Sequence, residues 1–287
     1  MTASLETLVV ASYLFADEMA IPRPGPKGEI TDAELIALAV AQAAMGIPSD
    51  RQFLGVVAKV LPGWFPHLPS QSQYNRRLRR LAPAIAAVQL RVAELIASSE
   101  LRIADGTLIG VANYAGCASH SEFAGSAAYG YCAAKSQYVW GMRLVLVTDP
   151  AGLPVGYTLV AANEKEYEPV RELTTAHPGC TLIADKGLWG RQYAETLALQ
   201  DVTIVTPERR RHADNLAREK RLASLRLVIE STFSNLKCQM RLEQHLAKTP
   251  AGLVQRIAQR LLALTIGMLL NVLTGRPPRA LVAYDGR

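Results

Sequence analysis

The sequence predicts a mixed α/β core preceded by an all-α module. Three observations carry this. Helical apolar spacing and capping signals fill the first hundred residues. Short β-branched runs take over from Leu101, two of them flanking a turn. Helical segments then alternate with further strands before a last apolar helix.

Taken in order, "SLETLVVASYLFADEM" has helical spacing and "IPRPGPKG" breaks it. Thr31 and Glu34 are placed as an N-cap and its reciprocal partner at the head of "TDAELIALAVAQAAMG", which ends at Gly46. Ser49 or Asp50 caps the helix "SDRQFLGVVAKVL". "PGWFPHLPS" is a turn, and "QSQYNRRLRRLAPAIAAVQLRVAELIASS" returns to helix, with a break expected at Pro83.

"LRIAD" then reads as a short strand ending at Asp105, followed by a long Gly/Ala/Ser-rich loop. "YVWGMRLVLVTD" and "PVGYTLVAA" alternate around Asp149-Pro150-Ala151-Gly152 and predict a hairpin. "EPVRELTTA" is a short helix. "TLIAD" and "VTIVTP" are buried strands, with the helix "GRQYAETLAL" between them. Residues 216–246 read as helix, and 250–273 as a last apolar helix. The expected domains are a helical module over residues 1–98 and an α/β domain over 99–287.

The chain has 287 residues, enough for a sizeable core, and 49% of them are hydrophobic, a globular composition. A net charge of +6 admits a polyanionic partner without requiring one. The four cysteines, Cys117, Cys132, Cys180 and Cys238, make no C-x-x-C pair, which argues against zinc or redox motifs and for reduced thiols in a cytoplasmic protein. The N-terminus lacks the basic start of a secretory signal. "LLALTIGMLLNVL" is too short to span a bilayer, and we read it as a buried core helix.

The chemistry lies in three acids. Asp105 and Asp185 each end an apolar strand and each stand within two residues of a glycine. Sites in α/β sheets form at the carboxyl ends of strands, so neighbouring strands would bring these two together. Glu230 lies in the helical segment "LRLVIESTFSNLKCQMR", where Arg226, Glu230 and Lys237 stand at i, i+4 and i+11 and so lie on one helix face. A capping aspartate and a solvated Arg–Glu stripe are the plain alternatives for any one of them. Three carboxylates without His or Cys ligands favour a hard divalent cation, Mg²⁺ or Mn²⁺. No G-x-S-x-G, P-loop or H-E-x-x-H motif competes. Two basic clusters suit a phosphate backbone: Arg76, Arg77, Arg79 and Arg80 in the helical module, and Arg209, Arg210 and Arg211 upstream of Glu230.

Asp105, Asp185 and Glu230, in this order on these elements, resemble the DDE triad of insertion-sequence transposases with an RNase-H-like core. "IADKGLWG" resembles the family's second-Asp block, and Arg226, Glu230 and Lys237 match its Arg-x3-Glu-x6-Lys spacing. "WFPHLPSQSQYNRRLRRLAP" and "AAYGYCAAKSQYVWGMRLVLVTD" are similar to blocks of the bacterial insertion-sequence family nine-eight-two. Ala223 stands where many relatives have Tyr, and the loop after Asp105 carries no Lys or Arg up to Ala128.

The resemblance implies a Mg²⁺-dependent DNA transposase, with Mn²⁺ as a substitute ion. It implies metal ligation by Asp105, Asp185 and Glu230, and phosphate contacts from Arg226 and Lys237. The implied partners are double-stranded DNA, both terminal inverted repeats and target, gripped by the helical module in a helix-turn-helix manner. A homodimer or larger oligomer on paired ends, no membrane, and a location at the bacterial nucleoid are implied as well. A nuclease without strand transfer and a domesticated non-catalytic DNA-binding protein are the alternative readings.

Overall fold

The computed structural model describes residues 3–19, 28–97, 100–113, 116–132, 136–188, 190–208 and 216–286. They form two compact units, one of residues 1–96 with 234–287 and one of residues 97–233. The last 54 residues group with the N-terminal helices and not with the sheet.

The helical unit contains α1 (Leu5–Glu18), α2 (Asp32–Ala44), α3 (Asp50–Val60), α4 (Gln71–Ile96) and the late helix α9 (Pro250–Leu273). α2 opens on the expected capping box between Thr31 and Glu34. α9 packs against α4, α2 and α1, and 94% of its most apolar window is buried, so it is a core helix as its composition suggested. Pro83 does not break α4, which runs unbroken for 26 residues. The proline is exposed, and on that side water can satisfy the carbonyl it frees.

α9 also buries charge. Arg256 pairs with Asp50 at 2.6 Å, and Asp50 accepts further bonds from Gln42 and Asn75. Arg260 donates to the carbonyls of Met240 and Arg256, and burial followed by the Arg256 charge pushes its pKa down to about 9. These groups are paired internally and serve the packing of this unit.

The second unit is built on a sheet of β1 (Leu101–Gly110), β2 (Ala128–Cys132), β3 (Gln137–Thr148), β4 (Pro154–Ala161), β5 (Thr181–Ile183) and β6 (Thr203–Val205). The strand order is β2-β3-β1-β5-β6, with β4 also on β3. β2 pairs with the first half of β3 and β4 with the second, so the two follow one another along the same edge. β1, β5 and β6 are mutually parallel, and β3 is antiparallel to β1. The hairpin turn forms because the Asp149 carboxylate accepts from the Ala151 and Leu153 amides, while Gly152 takes φ 86°. α6 (Tyr167–Thr174) packs on β3 and β4, and α7 (Arg191–Ala198) on β6.

Two expectations about this sheet need correction. β1 does not end at Asp105; it continues to Gly110, because β3 pairs with it from Ile103 to Gly110. Long-range pairing thus overrides the Asp-Gly turn signal. The loop that follows holds a short helix, α5 (Cys117–His120), and the extra strand β2.

Candidate active site

The parallel pairing of β1 with β5 stops at Ile103 opposite Ile183. Asp105 and Asp185 each lie two residues further on, at equal register, on the carboxyl side of that seam. Neighbouring strands run about 4.8 Å apart, so the fold brings the two acids to one place. Asp105 is mid-strand on β1 and held straight by β3; Asp185 follows a three-residue strand, just before a 3₁₀ turn over Lys186–Leu188.

α8 (Leu216–Ser234) supplies the third party. Its Arg226 reaches Asp185, Nη1 to Oδ1 at 3.0 Å. The Asp105 carboxylate accepts from the Gly106 amide at 2.8 Å. Its pKa is pushed up to about 6, chiefly by burial; the Gly106 amide and Arg226 pull the other way, while Glu166 and Asp185 add to the rise. Two further residues, which no sequence motif singles out, border this place. Glu166 stands against Gly106 and is paired with Arg143 of β3 at 2.5 Å. Arg143 is a lone charge in an apolar strand and Glu166 one of several in the run Glu164–Glu168, and only the packing of α6 on β3 shows that they meet.

Glu230 is exposed, one turn after Arg226 on α8. Among the described residues, no three His, Cys, Asp or Glu side chains stand close enough to hold a metal ion. The structure therefore gathers Asp105, Asp185 and Arg226, and leaves Glu230 outside that group. α8 gives way at Asn235–Gln239 to a π-helical turn, which changes the angular step, and Lys237 lies 3.8 Å from Glu243.

The donor chemistry fits a hard divalent cation: the acids brought together offer only carboxylate oxygen, and the charge crowding around buried Asp105 is what such a cation relieves. Asp105 and Asp185 are the two carboxylates that lie at equal register beyond the β1–β5 seam.

The basic residues divide. Arg77 is largely buried and spent on the head of α2, with Nη2 on Asp32 at 2.5 Å and on the Ile30 carbonyl at 3.0 Å. Arg80 stands 3.6 Å from the same Asp32. Arg76 and Arg79 are exposed. Arg209, Arg210 and Arg211 lie outside the described residues.

A central β1 flanked by antiparallel β3 and parallel β5, with acids at the end of the parallel seam and a helix laying an arginine on them, defines a protein of the RNase-H-like class. The chain matches the family described as "Transposase DDE domain" over residues 97–266, more than half its length. It belongs to that family, whose members are polynucleotidyl transferases or nucleases that use divalent metal ions. Among solved structures it is similar to a "Mos1 transposase paired-end complex with left transposon end", at 12% identity and a TM-score of 0.25, over 77% of this chain and 81% of that one. It is also similar to a "pre-cleavage Mos1 transpososome", at 14% identity and a TM-score of 0.24, over 93% of this chain and 82% of that one. No curated protein matches the chain.

Proposed function

We propose that this protein is a Mg²⁺-dependent transposase of an insertion sequence, with Mn²⁺ able to replace Mg²⁺. It would cut the element's ends and join the freed 3′-hydroxyl to target DNA. The observation that carries the reading is the equal register of Asp105 and Asp185 just beyond the β1–β5 seam, in a chain of the transposase DDE family. The blocks that resemble insertion-sequence family nine-eight-two point to the same kind of element.

In the first reaction water attacks the phosphorus at the element end. The bond to the 3′-oxygen breaks, leaving a 3′-hydroxyl and a 5′-phosphate. In the second, that 3′-hydroxyl attacks a target phosphodiester and displaces the target's own 3′-oxygen. Divalent ions, when bound, stabilise the attacking and leaving oxygens. Asp105 and Asp185 hold them on the rigid sheet, and Glu230 completes the ligand set from α8 by the family spacing. Arg226 contacts the phosphate near the scissile bond, and so does Lys237. The N-terminal module of residues 1–98 grips the terminal repeats. Arg76 and Arg79 are available there for phosphates, with Arg209, Arg210 and Arg211 as a second basic stretch. An oligomer pairs two ends near the bacterial nucleoid.

The exposed position of Glu230 is the one observation that favours a non-catalytic DNA-binding protein. One experiment separates the readings: the protein is incubated with Mg²⁺, a target plasmid, and DNA carrying the sequences that flank its own gene. Cleavage and joining support the transposase. Cleavage with no joining of pre-cut ends marks a nuclease, and binding alone marks the non-catalytic protein.

A further inference from the structure

The pairing of β1 with β5 ends before either acid, so no backbone hydrogen bond between those strands fixes Asp105 relative to Asp185. Beyond the seam, further contacts bear on their separation. The junction at the start of α6 touches both sides. On the β1 side, a Cβ at Gly106 would meet Glu166 Oε1 at 2.5 Å and Glu166 Cδ at 2.9 Å. The Glu166 carboxylate therefore lies against the backbone next to Asp105, and only glycine leaves room for it. On the β5 side, the Tyr167 hydroxyl donates to the Gly187 carbonyl at 2.6 Å, two residues after Asp185.

Both contacts are anchored. Arg143, opposite Leu108 of β1 and Val160 of β4, places Nη1 on Glu166 and Nη2 on the Ala162 carbonyl at 3.2 Å. The Tyr167 carbonyl accepts from the Tyr193 hydroxyl at 2.9 Å, and the two rings meet edge to face with centroids 4.8 Å apart. Glu166 and Tyr167 are consecutive, so one peptide unit links a contact on the Asp105 strand to a contact on the Asp185 loop.

We propose that Glu166 and Tyr167 are positioning residues, a brace at the head of α6 that holds Asp105 and Asp185 at the separation a divalent cation requires. The inference rests on the site reading given above. The brace acts through Gly106 and Gly187, without touching DNA. Its cost is a third carboxylate beside Asp105, and the guanidinium of Arg143 offsets that charge.

The test uses the full-length protein stripped of metal. Mn²⁺ affinity is read by electron paramagnetic resonance in wild type, Tyr167→Phe, Glu166→Gln and Asp105→Asn, with melting curves alongside. Tyr167→Phe removes one hydroxyl, and Glu166→Gln keeps the shape while weakening the tie to Arg143. Each should weaken Mn²⁺ binding by about 10-fold, the lower end for residues that orient ligands. End cleavage in Tyr167→Phe should show a lowered kcat at limiting Mn²⁺, recover at saturating Mn²⁺, and keep the wild-type KM for DNA. Wild-type Mn²⁺ affinity in both brace variants, with affinity lost in Asp105→Asn, overturns the brace and leaves the site reading standing. Wild-type affinity in Asp105→Asn overturns the site reading and the brace with it.

Discussion

Arg226 and Asp185 form an ion pair, Nη1 to Oδ1 at 3.0 Å, that joins α8 to the loop after β5. The guanidinium lies beside the acids that a divalent cation would share. On the proposed reading it is a counter-charge that would loosen its hold on Asp185 when a cation and a phosphate arrive.

The pair is partly exposed, 28% on the arginine side and 46% on the aspartate side, so it contributes only about 0–1 kcal/mol. Arg226→Ala should therefore lower the melting temperature by no more than about 2–4 °C. Cleavage should fall by about 100-fold, the loss that follows removal of one preorganised donor. Melting and cleavage measured on the same preparation check this. A large melting shift with cleavage intact would make the pair structural.

Asp105 opposes folding in its ionised form. Its pKa is raised from the ordinary 3.8 to about 6, so the folded protein binds this proton more tightly than the unfolded chain. The sign follows: the protonated carboxyl favours the fold below pH 3.8, and that contribution is lost as pH rises through about 6. At neutral pH the loss is at most about 3 kcal/mol. Asp105→Asn should then raise the melting temperature of metal-free protein at pH 7.5, and the gain should shrink to nothing by about pH 4. Mn²⁺ should stabilise wild type and leave the variant unmoved. Calorimetry across pH, with and without Mn²⁺, reads both effects.

The arginines of α4 should separate by task. Arg77→Ala removes the closer of the two guanidinium partners of the buried Asp32 carboxylate and should cost about 1–3 kcal/mol. Arg76→Ala and Arg79→Ala should leave stability alone. Each should lower the log–log salt slope of DNA binding by about 0.9 if it contacts a phosphate. Denaturant titration and binding at several salt concentrations distinguish them; an unchanged slope in both would leave these side chains facing solvent.

The strand runs that carry Asp105 and Asp185 are legible in the sequence because apolar runs interrupted by a charge are a local signal. The capping box at Thr31 and the Asp149 turn were legible for the same reason. What escaped depends on partners far along the chain. Asp105 looks like a strand end because Asp-Gly favours a turn, yet β3 pairs through it. Arg77 looks like its neighbours because sequence shows charge and not burial, and Asp32 lies 45 residues away. Glu166 and Arg143 are 23 residues apart and meet only through the register of β3 and α6. The π-helical turn at Asn235–Gln239 is likewise marked by no composition.

Glu230 carries the last prediction. Its exposed carboxylate gives Glu230→Gln no packing to lose, so the melting temperature of metal-free protein should not change, in contrast to the rise expected for Asp105→Asn. If α8 supplies the third ligand once cations and DNA are bound, the variant should bind ends as wild type does and fail at cleavage. Mn²⁺ affinity should fall by less than in Asp105→Asn, because only Asp105 and Asp185 are already together without metal. End binding by gel shift, cleavage, and Mn²⁺ titration of the two variants side by side provide the comparison. Near-normal cleavage by Glu230→Gln would remove Glu230 from the site and turn the search for a third ligand to Glu166, the other carboxylate beside Asp105.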